Sequence, residues 1–138
     1  MTAYRSFIYE ANDGIATVRL NDPDHLNALT FETYAELERV FSTMASDSTI
    51  KVVVLTGTGK GFCSGGSVHE IIAKLIAMTA DEQLRFTRLT CDVVKNMRGL
   101  KKPIIAAVNG IAAGAAAVLA LASDIRVLSD RARFAFLF

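Results

Sequence analysis

Residues 51–70 read Lys51-Val-Val-Val-Leu-Thr-Gly-Thr-Gly-Lys-Gly-Phe-Cys-Ser-Gly-Gly-Ser-Val-His-Glu70. Lys51–Thr56 is a short β-branched run closed by Gly57, the pattern of a strand buried on both faces. A loop with Gly57, Gly59, Gly61, Gly65 and Gly66 follows. Ser67-Val-His-Glu70 then has the form of a capping box, so a helix is expected to start there, with Glu70 serving the cap. The same arrangement returns downstream. Pro103-Ile-Ile-Ala-Ala-Val108 is a second buried run, and Asn109-Gly-Ile-Ala-Ala-Gly114 turns it toward the helix-prone segment Ala115–Ala122.

Outside this pair of units the pattern is consistent with them. Phe7–Glu10 and Ile15–Leu20 flank Ala11-Asn-Asp-Gly14, whose Asp-Gly pair signals a hairpin. Thr30 can cap a helix with Tyr34, Leu37, Phe41 and Met44 at helical spacing. A further helix is expected over about Asp81–Arg98, with Phe86, Leu89, Val93 and Met97 on one stripe. Ile125–Leu128 and Phe134–Phe138 are candidate strands. Strands alternating with helices predict an α/β layered domain.

Composition narrows the function. In 138 residues, 51% are hydrophobic and 21% charged, which excludes a disordered segment. Lys and Arg number 15 against 14 Asp and Glu, so no nucleic acid or anionic membrane is expected to be recognised by charge. Two cysteines, Cys63 and Cys91, cannot build a disulfide framework, and with His25 and His69 the only imidazoles no metal-ligand spacing appears. Met1–Arg5 has no apolar signal core, so a cytoplasmic address is expected.

Both glycine-bearing turns precede a helix start, where backbone N–H groups point outward and the helix dipole favours negative charge. If the two turns face one another, they can hold one oxygen between two N–H groups, as an oxyanion hole does. Rival motifs fail on spacing. Gly59-Lys60 is followed by Gly61 rather than Ser or Thr, Gly57-x-Gly59 leads to Phe62, and a nucleophile elbow at Ser64 lacks Gly at position 62. Ile104–Ser123 is long enough to span a bilayer and contains Gly110-x-x-x-Gly114. Nine of those twenty residues are alanine, however, and Asn-Gly interrupts them, so membrane insertion is the weaker reading. His69 reads as a surface or pocket-wall histidine and Cys63 as a small buried thiol.

At these residues the chain resembles the enoyl-CoA hydratase/isomerase (crotonase) superfamily. The likeness runs in order through Gly14-Ile-Ala-Thr-Val-Arg-Leu-Asn21, Asn27-Ala-Leu-Thr30, Val52-Val-Val-Leu-Thr-Gly57, Gly61-Phe-Cys-Ser-Gly-Gly66, Lys102–Gly110, Gly114 and Leu119–Arg126. It implies a ββα-spiral core spanning residues 1–138, without the C-terminal helical part that members carry. It implies acyl-CoA thioester substrates of fatty-acid metabolism, a lyase or isomerase activity, and no cofactor, coenzyme A being part of the substrate. It implies that the amides of Gly66 and Ala115 hold the thioester oxygen while an enolate forms. Ala28, Ser64, Gly66, Ser67, Val68, Gly114 and Val118 match positions lining the substrate pocket, and homotrimers or hexamers are the implied assembly.

The chain also departs from the family's pattern. Val118 stands where hydratases place one catalytic Glu, Phe138 aligns near the second, Ser67 replaces an Asp, and the second turn has become Gly114-Ala-Ala-Ala117. Valine and phenylalanine move no protons, so a catalytically silent acyl-CoA-binding or assembly subunit is the alternative. The apolar end Phe134–Phe138 is expected to expose hydrophobic surface unless another segment or chain covers it.

Overall fold

Asp13 and Gly14 both take positive φ, 51° and 82°, as a two-residue hairpin turn requires. They join β1 (Phe7–Asn12) to β2 (Ile15–Leu20) in antiparallel register, with Phe7 opposite Leu20. The coordinates are a computed structural model that describes residues 4–138; residues 1–3, the start of the stretch read for a signal core, lie outside it. After a 3₁₀ turn at Pro23–His25 comes α1 (Phe31–Ser46). Its cap is built from two threonines: Thr33 N donates to Thr30 Oγ1 at 3.2 Å, and Thr30 N donates to Thr33 Oγ1 at 3.2 Å. The α1 stripe Leu37, Val40, Phe41 and Met44 is fully buried with Ala16, Val18 and Leu20 of β2, as the helical and alternating periods require.

Next come β3 (Val52–Gly57), a π-helical turn at Val68–Ile72, α2 (Ala73–Ala77), α3 (Ala80–Gly99) and β4 (Ile104–Val108). Then follow β5 (Ile111–Ala113), α4 (Ala115–Ala122), β6 (Ile125–Leu128) and β7 (Arg133–Ala135). One sheet has the order β1-β2-β3-β4-β6, parallel from β2 onward, and a second pairs β5 with β7 in parallel. The α/β fold class is thus the observed one, and α1 packs against α3 beside the large sheet.

Three expectations need correction. Asn109–Gly114 is not a single turn, because β5 occupies its second half. Three small or apolar residues show no alternation, and their partner β7 is some twenty positions away, so the pairing leaves no local trace. The strand expected at Phe134–Phe138 covers only Arg133–Ala135, and Phe136, Leu137 and Phe138 are exposed. The helix expected over about 81–98 is α3, its start at Ala80 set by the Thr79 cap, with Glu82 Oε2 accepting from Thr79 N at 2.8 Å. At Ser67 only half of the capping box forms. Ser67 N already donates to Leu29 O at 2.8 Å, so Glu70 turns instead to Lys74 Nζ, 2.7 Å away. Among the described residues no helix is long and apolar enough to cross a membrane; Ile104–Ser123 is divided among β4, β5 and α4.

Gly110 is required by close approach. A Cβ there would stand 2.0 Å from Lys60 O, whereas one at Gly99 would meet nothing within 4 Å. Gly110→Ala is therefore expected to cost about 3 kcal/mol or more. Gly99→Ala is expected to change stability by less than about 1 kcal/mol, on the stabilising side. Urea unfolding of the two variants checks the contrast.

Candidate active site

Two asparagines shape the loop between β3 and the π turn. Asn27, 2% exposed, directs its Nδ2 at the carbonyl oxygens of Thr58 (2.9 Å), Gly61 (3.0 Å) and Phe62 (3.3 Å). Its Oδ1 accepts from Asp22 N at 2.9 Å. Asn109 donates to Gly59 O and Gly61 O, both at 3.0 Å, and its Oδ1 accepts from Gly57 N at 3.2 Å. A loop without a strand or helix ladder thus has its buried carbonyls satisfied by side chains. Sequence reasoning passed over both roles, although each asparagine lies in a stretch that carries the family likeness.

The loop returns as two single β-bridges. Cys63 N donates to Ile111 O at 2.9 Å, and Ala113 N donates to Cys63 O at 3.1 Å. On the other side Leu29 N donates to Gly65 O at 2.7 Å, and Ser67 N donates to Leu29 O at 2.8 Å. Leu29 therefore binds the groups flanking Gly66, and the Gly66 amide itself points to the opposite side. Gly114, at φ 54° and ψ −122°, starts α4, and its amide donates to Ala135 O at 2.8 Å. Among the described residues neither the Gly66 amide nor the Ala115 amide has a hydrogen-bond partner. The two segments touch at Gly65, where a Cβ would stand 2.7 Å from Ala113 O and 3.7 Å from Ala115 N. The two turns, whose facing one another was the condition set by the sequence, are therefore neighbours in space.

The remaining candidates divide between two clefts. Ala28 and Ser67 line a cleft of about 620 Å³ with His25, His69, Glu70 and Lys74. Ala115 and Val118 line a second, of about 410 Å³, with Tyr34, Cys91, Val94 and Phe138. Ser64 lies on the Ala28 side, its hydroxyl donating to His25 O at 3.2 Å, and Val68 is exposed. Val118 and Phe138, far apart in sequence, thus share a wall with Ala115. Among the described residues lining that cavity there is no carboxylate.

Titratable groups near the site sit in contrasting environments. Burial pushes the Cys63 thiol up to about 12, against a weaker opposing bond from Gly65 N, and so keeps it neutral. Burial likewise pushes the Tyr34 phenol up to about 12. His25, at the surface, is raised by its hydrogen bond to Asp22. The Lys74 bond lowers Glu70, whose carboxylate lines the Ala28 cleft and does not close the cap expected of it. His69 is exposed on the cleft wall, and Cys63 is the buried thiol expected.

The sequence profile of the enoyl-CoA hydratase/isomerase family matches residues 10–138. The chain belongs to that family. It is 36% identical over 125 residues to the 1,2-epoxyphenylacetyl-CoA isomerase of Escherichia coli K12, covering 91% of this chain and 48% of that one. It is 38% identical over 128 residues to the short-chain-enoyl-CoA hydratase of Clostridium acetobutylicum, again 48% of the relative. The fold overlays on a crystal structure from Streptomyces coelicolor A3(2), provisionally assigned as an enoyl-CoA hydratase. That overlay has a TM-score of 0.94 and 46% identity over 97% of this chain and 49% of that one. The chain thus spans about half the length of the relatives it matches.

The two cysteines of this family member give a direct check on the local packing. In the native protein at mildly alkaline pH, iodoacetamide is expected to modify exposed Cys91 and to leave Cys63 untouched until denaturant is added. Peptide mass spectrometry reads both sites, and equal modification of Cys63 would contradict the packing described.

Proposed function

We propose that this protein is an acyl-CoA enzyme of the hydratase/isomerase type, holding a thioester oxygen on the amides of Gly66 and Ala115. The observation that carries this reading is the pair of unpartnered amides on backbone segments that touch through Gly65. A proton alpha to a thioester is only weakly acidic, so removing it requires that the charge arriving on oxygen meet donors already in place. Backbone amides fixed by neighbouring bridges supply that field without reorganising. Coenzyme A enters as part of the substrate and no further cofactor is needed. The cleft beside Ala28 and Ser67 takes the coenzyme portion, and the cavity beside Ala115 and Val118 takes the acyl group. Trimeric or hexameric association and a cytoplasmic setting belong to the same proposal.

A second reading has a specific basis. Val118 and Phe138 stand on the wall of the acyl cavity, and neither can move a proton. The protein would then bind acyl-CoA without turning it over. Turnover of crotonyl-CoA and of longer enoyl- and dienoyl-CoA esters separates the readings, with calorimetry alongside. Binding without turnover supports the silent subunit, and absence of binding rejects both.

The amide of Gly66 can be tested without losing the loop. A Cβ at Gly66 would meet nothing nearer than Ile71 Cδ1, at 3.5 Å. Gly66→Ala keeps the N–H donor and is expected to retain near-normal kcat/KM. Gly66→Pro removes the donor and is expected to lower kcat by about a hundred- to a thousand-fold. Equal rates for the two variants would separate the Gly66 amide from the chemistry.

A further inference from the structure

Tyr34 is 7% exposed, and a buried tyrosine O–H ordinarily finds a partner. Among the described residues nothing is hydrogen-bonded to this one. The hydroxyl is not sealed in as Thr58 Oγ1 is, so it keeps an opening, and the space that Tyr34 lines is the cavity beside Ala115. The other polar side chains of that wall are largely engaged. Lys95 is paired with Asp92 at 3.3 Å, and the Thr90 hydroxyl donates to Thr87 O at 2.8 Å.

The placement of Tyr34 is tied to the paired amides. It stands in the first turn of α1, its N donating to Thr30 O at 3.1 Å, directly after the Leu29 segment that bonds on both sides of Gly66. Its ring meets Phe86 edge to face, with centroids 5.4 Å apart. Burial first, and the nearby Cys63 thiol second, hold the phenol neutral, so it is a donor rather than an anion at physiological pH.

We propose that Tyr34 is a specificity-determining residue, its hydroxyl donating a hydrogen bond to an uncharged oxygen carried on the acyl chain a few atoms beyond the thioester. The inference rests on the acyl-CoA reading above and adds one chemical feature of the acyl group. An oxygen buried in a cavity this apolar is costly unless a donor meets it. A plain hydrocarbon chain instead leaves the Tyr34 donor unpaired.

The test compares ether esters with their hydrocarbon isosteres by calorimetry. The pairs are methoxyacetyl-CoA with butanoyl-CoA, 3-methoxypropanoyl-CoA with pentanoyl-CoA, and 4-methoxybutanoyl-CoA with hexanoyl-CoA. Within each pair one CH₂ is exchanged for one oxygen. For at least one pair, Tyr34→Phe is expected to lower the ether-to-hydrocarbon affinity ratio by about fivefold. A tyrosine with only a structural role would weaken both members of a pair alike. A second readout decides the matter even where Tyr34→Phe fails to fold. The chain has 3 tyrosines, so ¹³C at tyrosine Cζ gives a spectrum in which Tyr34 is assigned by elimination with Tyr4→Phe and Tyr9→Phe. Its signal is expected to differ between the ether-bound and hydrocarbon-bound protein of that same pair. Unchanged ratios for all the pairs, or a Cζ signal that is the same with both members of every pair, overturn the inference while leaving the acyl-CoA reading intact. If none of the esters binds a folded protein, the acyl-CoA reading fails and takes the inference with it.

Discussion

Everything in the site depends on how Asn27 and Asn109 hold the loop after β3. Between them their side-chain amides reach the carbonyls of Thr58, Gly59, Gly61 and Phe62. Without those bonds, the buried carbonyls of Gly61 and Phe62 would be left unpaired at a cost of about 1–3 kcal/mol each. With them, the loop is held at these carbonyls, yet it is not committed to a ladder. That leaves the segment through Gly66 free to bridge Leu29 on one side while its amide faces the other.

The second amide is positioned by a different device. Gly114 adopts a backbone conformation closed to L side chains, tied to Ala135 by its own N–H, and α4 begins directly after it. Asp124 and Arg126 secure the far end of α4. Asp124 Oδ2 accepts from Ile104 N at 2.8 Å, and Arg126 donates to the carbonyls of Ala120 and Ser123. The Ser-Asp-Ile-Arg stretch that contributes to the family likeness is therefore a fastening of α4 to β4. Local glycine conformation and long-range side-chain bonds together bring the segments that carry the two unpartnered amides into contact at Gly65.

Much of this was legible in the sequence, and the reasons are local. The hairpin at Asp13-Gly14, the α1 stripe and the buried runs of β3 and β4 each carry their period or turn chemistry within a few residues. The two glycine-bearing segments were recognisable as donors for the same reason. That they touch was not, because contact depends on Cys63 pairing with Ala112 and on Gly65 meeting Ala113, distant in sequence and without side-chain pattern. β5 escaped on the same ground, while β7 was foreseen but drawn too far, through Phe138. Asn109 looked like an ordinary turn residue and Asn27 stood out only within the family likeness, since an asparagine's hydrogen-bonding partners are not written in its neighbours. The cavity that gathers Cys91, Val118 and Phe138 arises only when α3 and α4 are laid side by side.

The most direct measurement is the carbonyl stretch of a bound acyl-CoA, isotopically labelled at the thioester carbon and followed by difference infrared spectroscopy. Two amides converging on that oxygen polarise the bond. The stretch is expected to move below its frequency in water on binding and to return toward it in Gly66→Pro. A bound ester whose carbonyl absorbs as it does in water, in a folded protein, would contradict the convergence of Gly66 and Ala115 on one oxygen.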